Sequence, residues 1–273
     1  EGRWYQINNS GIEIKEGELT LEVAKKIKQK LDKLGANVVL VRSDIRPVNQ
    51  LSPSKFTDMA KELLKSRGMV VNETTVKRES ELLFYRRHEI RRRAHIINHK
   101  IKPDLVICVH FNAESWGNPY NPTLTNKNHL HLLINGNYSQ SEFRLEDNRF
   151  HLFTRLFQDI HTEEFRLSKA VANSMAMETK LPPYKYNTSN AKLLQSDEPY
   201  IYARNLLANR IYHCPVLFLE PYVMNNKEFY NRVALGEYEG LKRINGIKRK
   251  SLFNEYSDGV VEGLKKYYLE NRN

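Results

Sequence analysis

Two apolar runs in this sequence stop on an ionisable residue: Asp104-Leu-Val-Ile-Cys-Val-His110 and Pro215-Val-Leu-Phe-Leu-Glu220. Continuous apolar runs of this length suit strands covered on both faces. In the middle of such a strand an unpaired His or Glu costs several kcal/mol. At the carboxyl end of the strand the same residue opens into the crevice where open α/β sheets bind ligands. His110 and Glu220 are therefore expected to converge on one site.

The rest of the chain supplies matching helices. Leu19, Val23, Ile27, Leu31 and Leu34 recur at helical spacing and predict an amphipathic helix over 19–34. Gly35 follows as a residue able to take positive φ at the helix end. Asn37-Val-Val-Leu-Val-Arg42 then reads as another buried strand. Helix, glycine and buried strand make half of a βαβ unit, so a strand should precede Leu19. Only Trp4–Ile7 and Gly11–Ile14 are available for it within this sequence, and the first strand is expected to be missing. A short helix is expected near 56–65 and a long one over 79–99, ended by Pro103. Beyond a Pro-, Gly- and Asn-rich loop to about 128, His129–Ile134 alternates as a strand. Residues 145–179 read as mostly helical, and 250–269 as an amphipathic tail helix. The pattern predicts one α/β domain over 1–273, with a mostly parallel central sheet, helices on both faces and insertions at 43–80 and 140–165.

A net charge of +11 favours polyanionic partners. The Arg86–Arg93 cluster reads as a solvated helix face. No helix-turn-helix, zinc-finger or RNP signature is present, so nucleic acid is not expected as a partner. Cys108 and Cys214 lie inside apolar runs and read as buried thiols. No apolar run of about 18 residues encodes a membrane span. The opening Glu1-Gly-Arg-Trp-Tyr5 lacks the basic-then-apolar pattern of an export signal.

Just before the first helix, Glu13, Glu16 and Glu18 all compete for a site role, and each also suits an ordinary first-turn acid. Here the segment Glu16-Gly-Glu-Leu-Thr-Leu-Glu-Val-Ala, running on to Gly35-Ala-Asn-Val-Val-Leu-Val-Arg42, resembles the zinc-dependent N-acetylmuramoyl-L-alanine amidases. So do Pro103-Asp-Leu-Val-Ile-Cys-Val-His110-Phe-Asn112-Ala113 and Pro215-Val-Leu-Phe-Leu-Glu220-Pro-Tyr-Val-Met-Asn225-Asn226. The resemblance covers about residues 16–232 in the family's order. It implies Glu16 and His110 as Zn2+ ligands and Glu220 as the catalytic carboxylate. It also implies cleavage of the amide between N-acetylmuramic acid and L-alanine in peptidoglycan, in the periplasm or outside the cell.

The sequence departs from the family at three places. The family's first metal-binding histidine has no counterpart, since no His precedes His88; His129 or His131 are possible substitutes. Phe111 replaces a usual small residue, and Pro221-Tyr222 a Gly-Phe type turn. Asn112 is a candidate for orienting site or substrate, or for bonding loop backbone. Arg204, in Tyr202-Ala-Arg-Asn205, is a candidate for gripping a substrate carboxylate, or for a surface ion pair. Tyr184, Tyr186, Tyr200 and Tyr202 are candidates for a sugar-binding wall. His88, His95 and His99 share one helix without matching carboxylates and read as structural. The alternative function is a wall-binding or regulatory relative that has lost its metal.

Overall fold

The computed structural model describes residues 3–8 and 11–270. The chain runs β1 (Trp4–Gln6), β2 (Glu13–Lys15), α1 (Glu16–Asp32), α2 (Thr57–Ser66), α3 (Glu73–Leu83), α4 (Glu89–Ile96), β3 (Val106–Val109) and β4 (Leu130–Ile134). It continues through α5 (Gln140–Phe143), α6 (Glu146–Phe157), α7 (Ile160–Thr179), β5 (Lys192–Leu193), β6 (Ile201–Ala203), α8 (Leu207–Arg210) and β7 (Val216–Pro221). The last elements are α9 (Lys227–Ala234), β8 (Lys242–Ile244), β9 (Ile247–Arg249) and α10 (Leu252–Glu270). Two compact units result, one formed by Val41–Pro103 and the other by the segments up to Leu40 and from Asp104 onward.

The larger unit is the α/β body. Its sheet has the order β3-β7-β4-β6-β5. β3 and β7 pair in parallel, as do β4 and β6, while β4–β7 and β5–β6 are antiparallel. The α/β architecture thus matches the expectation. Leu130, Leu132, Ile134, Leu217 and Leu219 share one core with Val23 and Ile27 of α1, Val171 and Met175 of α7, and Val260 and Leu264 of α10. α1 forms where the apolar spacing places it, and Gly35 follows it at φ 86°.

Four expectations need correction. Asn37–Arg42 forms no strand, and Val39 is 51% exposed. A strand needs a neighbour for its backbone N–H and C=O groups, and among the described residues none pairs with it. β3 is not fully buried: it lies at the sheet edge and only Val106 is covered. β4 is buried at every position rather than on alternate residues, because it lies between β7 and β6. Trp4–Gln6 and Glu13–Lys15 both become strands, but they pair with each other as a separate antiparallel hairpin.

The smaller unit is helical. Phe56, Ala60, Leu64, Val76, Leu83 and Phe84 form its core. Asn72 starts α3 with a capping box, accepting from the Thr75 backbone N–H at 2.9 Å. Helix continues to Ile101 through π turns at Phe84–His88 and Ile97–Ile101, and stops at Lys102, which is left-handed ahead of Pro103. Buried Glu89 accepts backbone N–H bonds from Val48 and Asn49 and pairs with Arg93. Arg86, Arg87, Arg91 and Arg92 are exposed. The expected insertion 43–80 lies within this unit. The other, 140–165, falls on α5, α6 and the start of α7, where Phe150 and Phe157 are exposed.

Candidate active site

Strand register builds the site. Val109 of β3 is paired with Leu219 of β7, so His110 falls beside Glu220 at the carboxyl ends of two parallel strands. On its other side Glu220 is paired with His131 of β4. The row His110–Glu220–His131 therefore lies across one face of the sheet. His110 stacks on Phe218, with centroids 4.6 Å apart and planes 10° off parallel. Its backbone carbonyl accepts from the Tyr256 hydroxyl of α10 at 3.1 Å.

Glu16, the first residue of α1, reaches this row. Its Oε1 accepts from His110 Nδ1 at 3.2 Å and from the Phe111 backbone N–H at 3.4 Å. Arg3 grips the same carboxylate with both arms of its fork, Nε to Oε2 at 2.7 Å and Nη2 to Oε1 at 2.9 Å. Neither Glu13 nor Glu18 takes this place; both pair with Lys15. Arg3 was not foreseen from sequence. The signal for it is the hairpin, whose register leads from Trp4–Lys15 to Arg3–Glu16.

The charges are unequal in consequence. Burial would raise the Glu16 carboxyl, but the His110 hydrogen bond and the Arg3 charge overcome it and hold the group at about 2. For His110, burial opposes protonation, yet bonding to Glu16 and the nearby Glu220 charge raise it above the ordinary histidine value. Glu220 goes the other way: burial lifts it to about 7, against the pull of His110 and Arg3. Its Oε2 is buried without a hydrogen-bond partner.

The remaining candidates divide. Asn112 spends its side-chain oxygen on the Ala113 backbone N–H at 2.7 Å, and its backbone bonds Tyr222 and Met224. It therefore ties the loop after β3 to the loop after β7. Arg204 follows β6, with its guanidinium 5.9 Å from the Tyr186 ring centroid, and its charge acts on both Glu220 and His131. Tyr184, Tyr186 and Tyr202 pack around His131, and Tyr186 Oη lies 3.0 Å from His131 Nε2. Burial holds His129 down at about 4 and His131 well below its usual value. Tyr200 instead donates to the Leu181 carbonyl.

The turn after Glu220 shows why Tyr222 stands there. It adopts φ 60°, a region costly for a bulky residue. Its hydroxyl donates to Glu255 Oε1 at 2.7 Å, in a buried cluster with Arg232 and Arg249. That anchor holds the strained turn.

A catalytic zinc takes three protein ligands and a water. Glu16 and His110 stand at a spacing two ligands of one ion would have, but among the described residues no group of three or more His, Cys, Asp or Glu can hold a metal ion. His131 does not join them. With Arg3 on both Glu16 oxygens, the donor set as arranged does not fit zinc.

No protein-family model matches the chain, and no curated protein matches it by sequence. Solved structures do. The chain is similar to the apo N-acetylmuramyl-L-alanine amidase Ami1 of Mycobacterium abscessus, at 16% identity and TM-score 0.51 over 96% of this chain and 81% of that one. Ami1 of Mycobacterium smegmatis is similar at 12% identity and TM-score 0.52, over 98% and 82% of the two chains. So is the CwlD amidase of Clostridioides difficile, solved in complex with the GerS lipoprotein, at 10% identity and TM-score 0.53 over 99% and 94%. At these identities the shared property is the fold: this chain has the fold of peptidoglycan amidases.

Proposed function

We propose that this chain is a peptidoglycan hydrolase that cleaves the amide between N-acetylmuramic acid and L-alanine, with Glu220 as its proton-transfer group. One observation carries the reading: a carboxyl at the end of β7, held at about 7 by burial and with an unpartnered Oε2, beside His110. The amidase fold of the solved relatives supports it, as do the matched segments around Glu16, His110 and Glu220.

General acid–base catalysis works best with a group poised near the working pH. Ionised Glu220 takes a proton from the attacking water. The protonated form then delivers it to the departing L-alanine amine. His110, whose protonated form Glu16 and Glu220 favour, stabilises negative charge developing on the scissile carbonyl. Arg204, at the same face, offers a bidentate contact for a carboxylate of the peptide stem. Asn112 holds the loop that borders the site. Zinc dependence, implied by the family resemblance, requires a third donor beside Glu16 and His110. Peptidoglycan as a partner would put the protein to work in the periplasm or outside the cell.

A second reading is a wall-binding relative without turnover, and the Arg3–Glu16 pair favours it. Incubation with purified sacculi separates the two. Hydrolysis releases stem peptides with free L-alanine amino termini, and Glu220→Gln abolishes the release. Co-sedimentation with sacculi without any release establishes the binder and removes Glu220 from catalysis.

A further inference from the structure

We propose that Arg3 is a built-in occupant of the cation locus formed by Glu16 and His110, so that this chain takes up divalent metal only when Arg3 is removed from Glu16. The hairpin dictates the contact. Trp4 pairs with Lys15, and the Glu16 backbone N–H donates to the Arg3 carbonyl at 3.1 Å, extending the ladder by one residue. Arg3 and Glu16 are thus cross-strand neighbours, an arrangement in which opposite charges attract. The Tyr5 hydroxyl fixes the same strand from within, donating to the Met224 carbonyl at 2.6 Å, and its side chain is fully buried.

The fork–fork geometry leaves no room for a metal. Glu16 Oε2 takes Arg3 Nε, while Oε1 takes Arg3 Nη2, His110 Nδ1 and the Phe111 N–H. A planar guanidinium matched to a carboxylate is pre-organised and always charged. A divalent ion at Glu16 meets a positive charge already in place and a donor atom already bonded. The Arg3 side chain is 37% exposed against 10% for Glu16, so of the two it is the arginine that meets solvent.

This goes beyond the hydrolytic reading and is tested without measuring turnover. Zinc is titrated calorimetrically into the metal-stripped 273-residue chain, with cobalt(II) absorption as a second readout. The variants are Arg3→Gln, Arg3→Lys and the double change Arg3→Gln/His110→Ala, each checked for folding by circular dichroism. The wild type and Arg3→Lys are expected to bind zinc weakly. Arg3→Gln is expected to bind at least about tenfold more tightly, about 1.4 kcal/mol, and to lose that gain with His110→Ala. One zinc bound per wild-type chain as tightly as by Arg3→Gln overturns the proposal, as does a folded Arg3→Gln that gains nothing. The wild-type measurement needs no variant to fold. Release of peptides from sacculi is a separate readout, so failure here leaves the hydrolytic reading where it stood.

Discussion

At the scale of single residues, one crevice holds two carboxylates with opposite dependence on pH. Glu16 is pulled below its ordinary 4.5 to about 2. Its ionised form therefore stabilises the fold above about 4.5, and that contribution disappears as pH falls toward 2. The displacement corresponds to roughly 3 kcal/mol. Glu16→Gln is expected to lose about that much at pH 7 and almost nothing near pH 2, as read by denaturant unfolding. Glu220 is pushed up to about 7, so the folded chain keeps a proton that the unfolded chain has released. Stability from this group is full below about 4.5 and is lost as pH rises through about 7. Glu220→Gln is accordingly expected to gain on the order of 3 kcal/mol over wild type at pH 8 and nothing at pH 4. A flat difference across that range would show that Glu220 is not held protonated by its surroundings.

At the scale of elements, the candidate site depends on parts that lie outside it. α7 and α10 cross so closely that a Cβ at Gly263 would lie 2.5 Å from Val171 Cα, and one at Gly259 3.0 Å from Met175 Cα. The backbone of a packed helix cannot yield cheaply. Gly263→Ala is expected to destabilise the fold by about 1–3 kcal/mol, with a lowered thermal midpoint as the measure. It also tilts α10, whose Tyr256 holds the His110 carbonyl. Tyr222→Phe keeps the ring but removes the bond to Glu255 that anchors the left-handed turn. That change is expected to cost about 1–2 kcal/mol, again from denaturant unfolding. In the same body Glu164 is buried under Arg155 and the backbone N–H groups of Asn135 and Val216, which explains a fully buried acidic residue near the start of α7.

At the scale of the whole molecule, the sequence made legible what short-range patterns carry. α1, α10, β3, β4 and β7 each announce themselves by apolar spacing, and His110 and Glu220 by their place at strand ends. Pairing was harder to read, because sheet register depends on partners far along the chain. Asn37–Arg42 has the composition of a buried strand, yet composition cannot provide a neighbour. The reverse holds for Trp4–Gln6 and Glu13–Lys15, each too short to stand out and formed by pairing with the other. Arg3 was illegible for the same reason, since nothing local marks it as the partner of Glu16. The +11 charge includes Arg3 and Arg204 near the site as well as the exposed face of the helical unit, so it serves no single purpose.

The central claim is that Glu220 moves the proton during amide cleavage. The most direct test is the rate at which free L-alanine amino termini appear from purified sacculi, measured from pH 5 to 9 for wild type and Glu220→Gln. Wild-type rate is expected to rise through about pH 7 as Glu220 ionises, with Glu220→Gln folded but inactive throughout. Equal rates in the two proteins, or a wild-type rate that ignores pH across that range, contradict the claim.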